Sequence, residues 1–76
     1  MKKYYIEKIG RGIEGGYFED YGKVVSDLDK IVSERIAQGW YVIHTESEAN
    51  TMIIVLARKI DGNMSIVGYQ LKSIEV

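Results

Sequence analysis

A glycine-rich segment is the clearest chemical motif in the sequence. Gly10-Arg11-Gly12-Ile13-Glu14-Gly15 matches G-x-G-x-x-G, a pattern that lets a backbone approach a pyrophosphate at the start of a helix. Here Gly16-Tyr17-Phe18 follows instead of a helix, and 76 residues leave no room for the repeated β-α-β units of a dinucleotide-binding domain. We therefore expect no dinucleotide site. Two interpretations of this segment remain: it is a loop that binds another anion, or a loop that binds no ligand.

His44 is the sole histidine, and it lies two residues before Glu46. Side chains at i and i+2 share a face only while a strand continues, and we place Glu46 in a turn, so we expect no acid–base pair. The acidic residues Glu14, Glu19 and Asp20 lack the ligand spacing of an EF-hand loop. The sequence therefore predicts a protein that is not an enzyme and has no catalytic residue, metal or cofactor.

One Trp, six Tyr and one Phe are many aromatic residues for so short a chain. Proteins that stack nucleic-acid bases set such rings beside a basic groove, but the segment 40–60 has only Arg58 and Lys59 as cations. The net charge is -1, and we predict no nucleic-acid partner. Tyrosine also suits protein interfaces. We expect a protein partner to bind a segment that contains Arg11, Gly12, Gly15, Tyr17, Phe18 and Tyr21.

Length and composition bound the class of protein. A chain of 76 residues has room for a single domain, 1–76, and a domain this small is marginally stable without a partner. There is no cysteine, which excludes disulfides and thiolate zinc sites and fits a reducing compartment. No apolar run is long enough for a signal peptide or a membrane span. We expect a cytoplasmic protein without a membrane partner.

The first half of the chain predicts a strand and a helix. Residues 4–9 are rich in aromatic and β-branched residues and are predicted to form a strand, and residues 10–22 an ordered loop or a loose hairpin. Ser26 is expected to cap a helix over 27–38, and Gly39 to end it in the left-handed conformation. An apolar stripe at helical spacing supports this helix: Leu28, Ile31, Val32 and Ile36.

The second half predicts three strands. They cover 40–45, 51–60 and 64–71, with a five-residue loop at 46–50 and a tight turn at Asp61-Gly62. The predicted order is β-α-β-β-β. This is an α+β fold with one helix packed on a mainly antiparallel four-stranded sheet.

The predicted sheet has two apolar faces. Pairing residue 45 with 51 and residue 60 with 63 gives the helix a bed of Trp40, Val42, His44, Met52, Ile54, Leu56, Val67, Tyr69 and Leu71. One helix cannot also cover the second face. We expect a second copy of the chain to cover it, with a dimer favoured; the alternatives are the 10–22 segment, a ligand or a partner protein. The interface residues we predict are Tyr41, Ile43, Ile53, Val55 and Ile66.

Two runs of residues resemble a known family. Gly39-Trp40-Tyr41-Val42-Ile43 and the later Ile53-Ile54-Val55-Leu56-Ala57-Arg58-Lys59 are similar to short bacterial and phage proteins of the domain of unknown function 4177 family. The resemblance covers residues 4–59. The glycine-rich segment and the strand from Met64 depart from it. It implies a β-α-β-β fold and no activity, since the family has none assigned.

We therefore predict a non-enzymatic interaction or assembly module. It self-associates through its sheet and binds a protein partner, such as a phage or host regulatory factor. The alternative is a small-ligand or nucleotide-binding protein, whose pocket lies between the Gly10–Gly16 loop and Tyr41 or between subunits.

Overall fold

A computed structural model describes residues 1–76 and contains one helix and five strands. The elements are β1 (Lys2–Lys8), β2 (Gly12–Phe18), α1 (Tyr21–Ala37), β3 (Tyr41–Glu48), β4 (Thr51–Ile60) and β5 (Asn63–Glu75). The strands form one sheet in the order β2-β1-β5-β4-β3, and every neighbouring pair is antiparallel. The α+β class is confirmed, whereas the prediction of four strands is wrong because the sheet has five.

The additional strand comes from the glycine-rich segment. The chain turns at Gly10 and returns along β1 as β2, so that Tyr5 pairs with Tyr17 and Glu7 with Ile13. The register shifts between Tyr5 and Ile6, where β2 carries extra residues and forms a bulge. Four glycines of this hairpin have positive φ: Gly10, Gly12, Gly15 and Gly16. Such a composition weakens the sequence signal for a strand, because glycine is a poor strand former.

The helix begins six residues earlier than predicted. Asp20 is its N-cap, and its Oδ1 accepts hydrogen bonds from the backbone N–H of Gly22 at 2.8 Å and of Lys23 at 3.4 Å. Ser26, the predicted cap, lies inside α1. The longer helix adds Val24 to the core, where it is fully buried.

The end of the helix follows the prediction. Gly39 has φ +94, and its N–H donates to the carbonyl of Ile36 at 3.0 Å, while the N–H of Trp40 donates to the carbonyl of Arg35 at 3.0 Å. These two bonds form a Schellman motif, which satisfies carbonyls that a helix end leaves without partners.

Replacing Gly39 by alanine should lower the free energy of unfolding by about 1 kcal/mol, because a Cβ strains a residue with positive φ. The added Cβ would lie 3.7 Å from Nε of Arg58, an ordinary contact, so the cost comes from the backbone. Urea denaturation followed by circular dichroism measures it. Gln38→Ala, at φ -90, is the control and should change little. A Gly39→Ala protein as stable as the parent would contradict this account of the cap.

The core lies between α1 and the sheet, where α1 contacts β1, β2 and β5 and the buried side chains continue onto β4. Its buried members are Ile6, Val24, Leu28, Ile54, Leu56, Val67, Tyr69 and Leu71. Trp40 packs against this cluster but is only half-buried. Ile36, a member of the predicted apolar stripe, is 52% exposed. The predicted helix bed therefore lies too far toward β3. β3 is one of the two outer strands, and all of its residues are exposed.

The register of β3 also differs from the prediction. Glu48 pairs with Thr51, where the prediction paired residue 45 with 51, and a bulge shifts the register between Val42 and His44. The register set at the Glu48–Thr51 turn places His44 opposite Val55, on the face away from the helix. The register of the last hairpin is confirmed: Ile60 pairs with Asn63, and Asp61 and Gly62 both have positive φ.

Candidate functional site

The sheet face away from α1 has no secondary-structure element packed on it. We call it the open face and define it by Ile13, Tyr41, Ile53, Val55 and Ile66. In β5 the odd-numbered residues Val67, Tyr69 and Leu71 are buried under the helix, so Ile66 projects to the other side. Ile66 pairs with Ala57, and Ala57 pairs with Tyr41, which aligns these three residues across the sheet.

The interface residues predicted from the sequence meet on this surface. Ile66 is 63% exposed and Tyr41 47%, while Ile53 and Val55 are half-buried between their neighbours. Ile43 lies in the β3 bulge beside His44 and is 48% exposed. The bulge was not predicted, and it returns Tyr41 to the predicted face. The changed register at the turn exchanges the faces of β3, and the extra residue of the bulge reverses that exchange for Val42 and Tyr41.

Ile9 extends the open face across the central strand. Gly68 of β5 has no side chain, and a Cβ built there would lie 3.0 Å from Cδ1 of Ile9. Ile9 therefore covers the backbone at Gly68 while remaining 48% exposed itself. The result is an apolar surface that continues from β1 over β5 to β4. The strand predicted over residues 4–9 included Ile9, but its place on this surface was not predicted; β1 ends at Lys8, and Ile9 opens the turn.

Polar pairs border this apolar surface and interrupt it between Ile13 and Ile53, where Glu7 and Gln70 lie in the same row. Nζ of Lys72 lies 3.9 Å from Oε1 of Glu7, and Nε2 of His44 lies 3.1 Å from Oε2 of Glu46. The prediction that Glu46 belongs to a turn is wrong, because β3 continues to Glu48 and keeps the two side chains on one face. The His44 and Glu46 side chains are 54% and 64% exposed, so the pair lies at the surface.

The aromatic segment predicted to bind a protein is divided by the fold. Phe18 and Tyr21 pack against the core, and the ring of Tyr21 meets that of Tyr4 edge-on at 5.3 Å. Tyr17 points to the other face, where its ring lies 5.5 Å from that of Tyr5, and it is 54% exposed. The six predicted residues therefore do not form one surface. Arg11 and Gly12 are exposed at the β1–β2 turn, and Gly15 lies in the β2 bulge.

Arg35 is a further candidate that sequence analysis missed. Its Nε donates a hydrogen bond to the hydroxyl of Tyr69 at 3.0 Å, and its Cζ lies 4.9 Å from the centre of the Trp40 ring. The signal was present in the spacing. Arg35 follows Leu28 by seven residues and therefore falls on the apolar stripe of the helix.

Two grooves adjoin Arg35. One has a volume of about 360 Å³ and combines Arg35 with Glu14 and Glu34. The other, of about 220 Å³, is lined by Lys8, Ile9, Arg11, Arg35, Trp40, Ile66, Val67 and Gly68. The predicted ligand pocket between the Gly10–Gly16 loop and Tyr41 is therefore misplaced. Tyr41 belongs to β3 at the far edge of the sheet, and Trp40 lines the groove instead.

Two further findings concern metals and membranes. Nowhere do three His, Asp or Glu side chains converge in the way that a metal site requires. α1 lacks the length and the apolar character needed to cross a bilayer.

Comparisons with protein-family models, with curated proteins and with solved structures found no match. The resemblance of the Gly39–Ile43 and Ile53–Lys59 runs to the domain of unknown function 4177 family accordingly stays a prediction.

Proposed function

We propose that this protein is a non-enzymatic assembly module that forms a homodimer through the open face. The observation that carries the proposal is the set of large apolar side chains left in water there. Ile66, Ile43, Tyr41, Ile13 and Ile9 are each between 46% and 63% exposed. Fully burying one such aliphatic side chain is worth about 1.5 to 3 kcal/mol, so a cover over this face yields a large gain.

The small core of one protomer favours a second copy as that cover. Only nine of 76 residues are buried. Eight of them form the cluster between α1 and the sheet, and the ninth is Ala57. A chain with so few buried residues gains most from a core shared with its own copy. Two sheets that pack face to face across such an interface lie about 10 Å apart.

Charge supports a symmetric pairing. The chain is nearly neutral, at -1, and the polar border of the open face carries both signs, with Lys72 beside Glu7. A two-fold axis brings the same surface of both copies together, so a single-sign border would repel itself. A mixed border permits opposite charges to meet.

We expect the purified protein to have about twice its chain mass of 8.7 kDa at micromolar concentration. Light scattering coupled to size exclusion, over a hundredfold range of concentration, measures this. The apparent mass should fall toward that of one chain only on strong dilution. A protein that remains a monomer at the highest concentration would overturn the proposal.

The binding of a protein partner stays a prediction. Of the segment predicted for it, Arg11 and Tyr17 remain exposed, and β2 is an outer strand of the sheet. Outer strands offer unpaired backbone groups to another chain, so this edge is where a partner has access.

A further inference from the structure

The smaller groove lies where β1 separates from β5. The last residue pair between these strands is Lys8 with Tyr69, followed by one backbone hydrogen bond of 2.9 Å from Ile9 N–H to the Gly68 carbonyl. The chain then turns away at Gly10, and Arg11 N–H donates to the Lys8 carbonyl at 2.8 Å. The space left beside β5 is bounded on its other side by the end of α1. We call it the basic groove and define it by Lys8, Arg11, Arg35, Trp40 and Ile66.

Three cations converge on the basic groove, and no acidic side chain lines it. Lys8 belongs to β1, Arg11 to the turn and Arg35 to α1, so the cluster is assembled by the fold and not by a basic run. The chain as a whole has 11 acidic and 10 basic side chains, so a lining with one sign of charge contrasts with the rest of the molecule. The ion pairs of the structure include none of the three cations.

Arg35 is held in place before any ligand arrives. The bond of its Nε to the Tyr69 hydroxyl and its position over the Trp40 ring fix the plane of the guanidinium. A planar guanidinium fixed in this way loses little freedom when it binds an oxyanion. The partial negative charge of the helix C-terminus opposes an anion here. That effect is reduced because the carbonyls of residues 34–36 already accept backbone N–H groups of Gln38, Gly39 and Trp40.

The remaining walls are apolar. Trp40, Ile66, Ile9 and Val67 line the same groove as the cations. Its volume of about 220 Å³ lies below the range of roughly 300 to 1,000 Å³ typical of sites for drug-sized ligands. The groove therefore suits a compact molecule that joins an anionic group to one flat apolar group.

We propose that the basic groove binds a small phosphate monoester with a single aromatic ring. A phosphate monoester carries about -1.5 to -2 charges at pH 7, which matches three cations better than the single charge of a carboxylate does. Arg35, Arg11 and Lys8 bind the phosphate oxygens, and the ring lies against Trp40 and Ile66. The site shares Ile9 and Ile66 with the open face. Its three cations lie outside that face, so binding of the phosphate group does not depend on the proposed dimer.

The only tryptophan of the chain lines the groove and reports binding directly. Phenyl phosphate is titrated against the protein with excitation at a wavelength selective for Trp40, and inorganic phosphate and phenol serve as comparison ligands. We expect a saturable change in emission with phenyl phosphate, weaker binding of inorganic phosphate, and no saturation with phenol. Raising the salt concentration should weaken phenyl phosphate binding, because screening acts on the charge contacts.

Variants distinguish this site from general attraction to the surface. Arg11→Gln and Lys8→Gln should each raise the Kd for phenyl phosphate about tenfold, the effect of losing one charge-assisted hydrogen bond. Lys30→Gln removes a charge from the exposed side of α1 and should leave the Kd unchanged. The side chain of Arg11 makes no hydrogen bond within the protein, and circular dichroism of this variant should match the parent.

Three results would overturn the proposal. They are equal Kd values for the Arg11→Gln and Lys30→Gln proteins, binding of phenol as tight as that of phenyl phosphate, and no saturation with millimolar phenyl phosphate.

Discussion

Leu28→Ala is expected to lower the free energy of unfolding by about 3 kcal/mol, within the range measured for large-to-small changes in protein cores. Leu28 is fully buried and lies in the middle of α1, where it packs into the cluster that joins the helix to the sheet. Removing its branched end leaves a cavity that a helix fixed by caps at both ends cannot collapse to fill. A domain this small has only about 5 kcal/mol or somewhat more in total, so most of its stability is at stake.

Ile36→Ala provides the matched control for Leu28→Ala. Ile36 belongs to the same predicted stripe and the same helix, but it is 52% exposed. Its truncation should cost under about 1 kcal/mol, because water already reaches much of the side chain. Both variants are unfolded with urea at one fixed protein concentration, since dimer formation makes apparent stability depend on concentration. Equal losses in the two proteins would contradict the position of α1 on the sheet.

Ile66→Asp is expected to raise the dimer dissociation constant by at least about a hundredfold. Ile66 is 63% exposed in one protomer, so an aspartate there stays in water when the protein is a monomer. In the proposed dimer the same carboxylate is buried against an apolar surface without a partner, at a cost of several kcal/mol. Because 1.4 kcal/mol is a factor of ten, about 3 kcal/mol accounts for the hundredfold change. Sedimentation equilibrium measures the dissociation constant.

Comparison with two other aspartate variants locates the interface. Val55→Asp changes a half-buried residue of the open face, so it should lower the stability of the protomer and also weaken the dimer. Ile60→Asp is the control, since Ile60 is 44% exposed near the tip of the last hairpin and lies on the opposite sheet face. It should keep the dimer intact. A dissociation constant unchanged by Ile66→Asp, with a folded protein, would place the interface elsewhere.

The parts of the fold that the sequence predicted are those set by local turn chemistry. Asp61-Gly62 specifies a two-residue turn, and with it the register of β4 against β5. Gly39 specifies the end of α1 for the same reason. The register of β3 escaped prediction because its turn uses Ala49 at φ 49, a conformation for which alanine gives no sequence signal. That register moved His44 and Thr45 to the faces opposite those predicted, and the bulge after Val42 returned Tyr41 and Val42 to their predicted faces.

The predictions of the helix start and of the number of strands failed for a different reason. Both Asp20 and Ser26 are good N-caps, and only the packing of Tyr21 and Val24 on the sheet decides between them. The glycines of β2 remove the sequence signal for a strand, and β2 forms because it pairs with β1. In these regions tertiary contacts outweigh local preference.

The candidate sites divide in a similar way. The open face was predictable because residues 52–57 are continuously apolar, which requires cover on both sides of a strand. The basic groove was not, because Arg35 is distant in sequence from Lys8 and Arg11 and meets them only through the packing of α1 on the sheet. Phe18 and Tyr21 were predicted to bind a partner because the sequence did not reveal β2 or the start of α1. The structure places Phe18 at the end of β2 and Tyr21 at the start of α1, and both pack against the core.

The strand order also governs how the chain reaches this structure. β5 lies between β1 and β4, and its pairs with β1 run from Lys2–Glu75 to Lys8–Tyr69, so this ladder joins residues 61 to 73 positions apart. While the chain emerges from a ribosome, the β1–β2 hairpin and α1 have no central strand to join until β5 follows. Ile6 and Leu28 stay in contact with water over that interval. Contacts of such long range slow folding relative to helical proteins of equal length, and the waiting segments are open to capture by a chaperone.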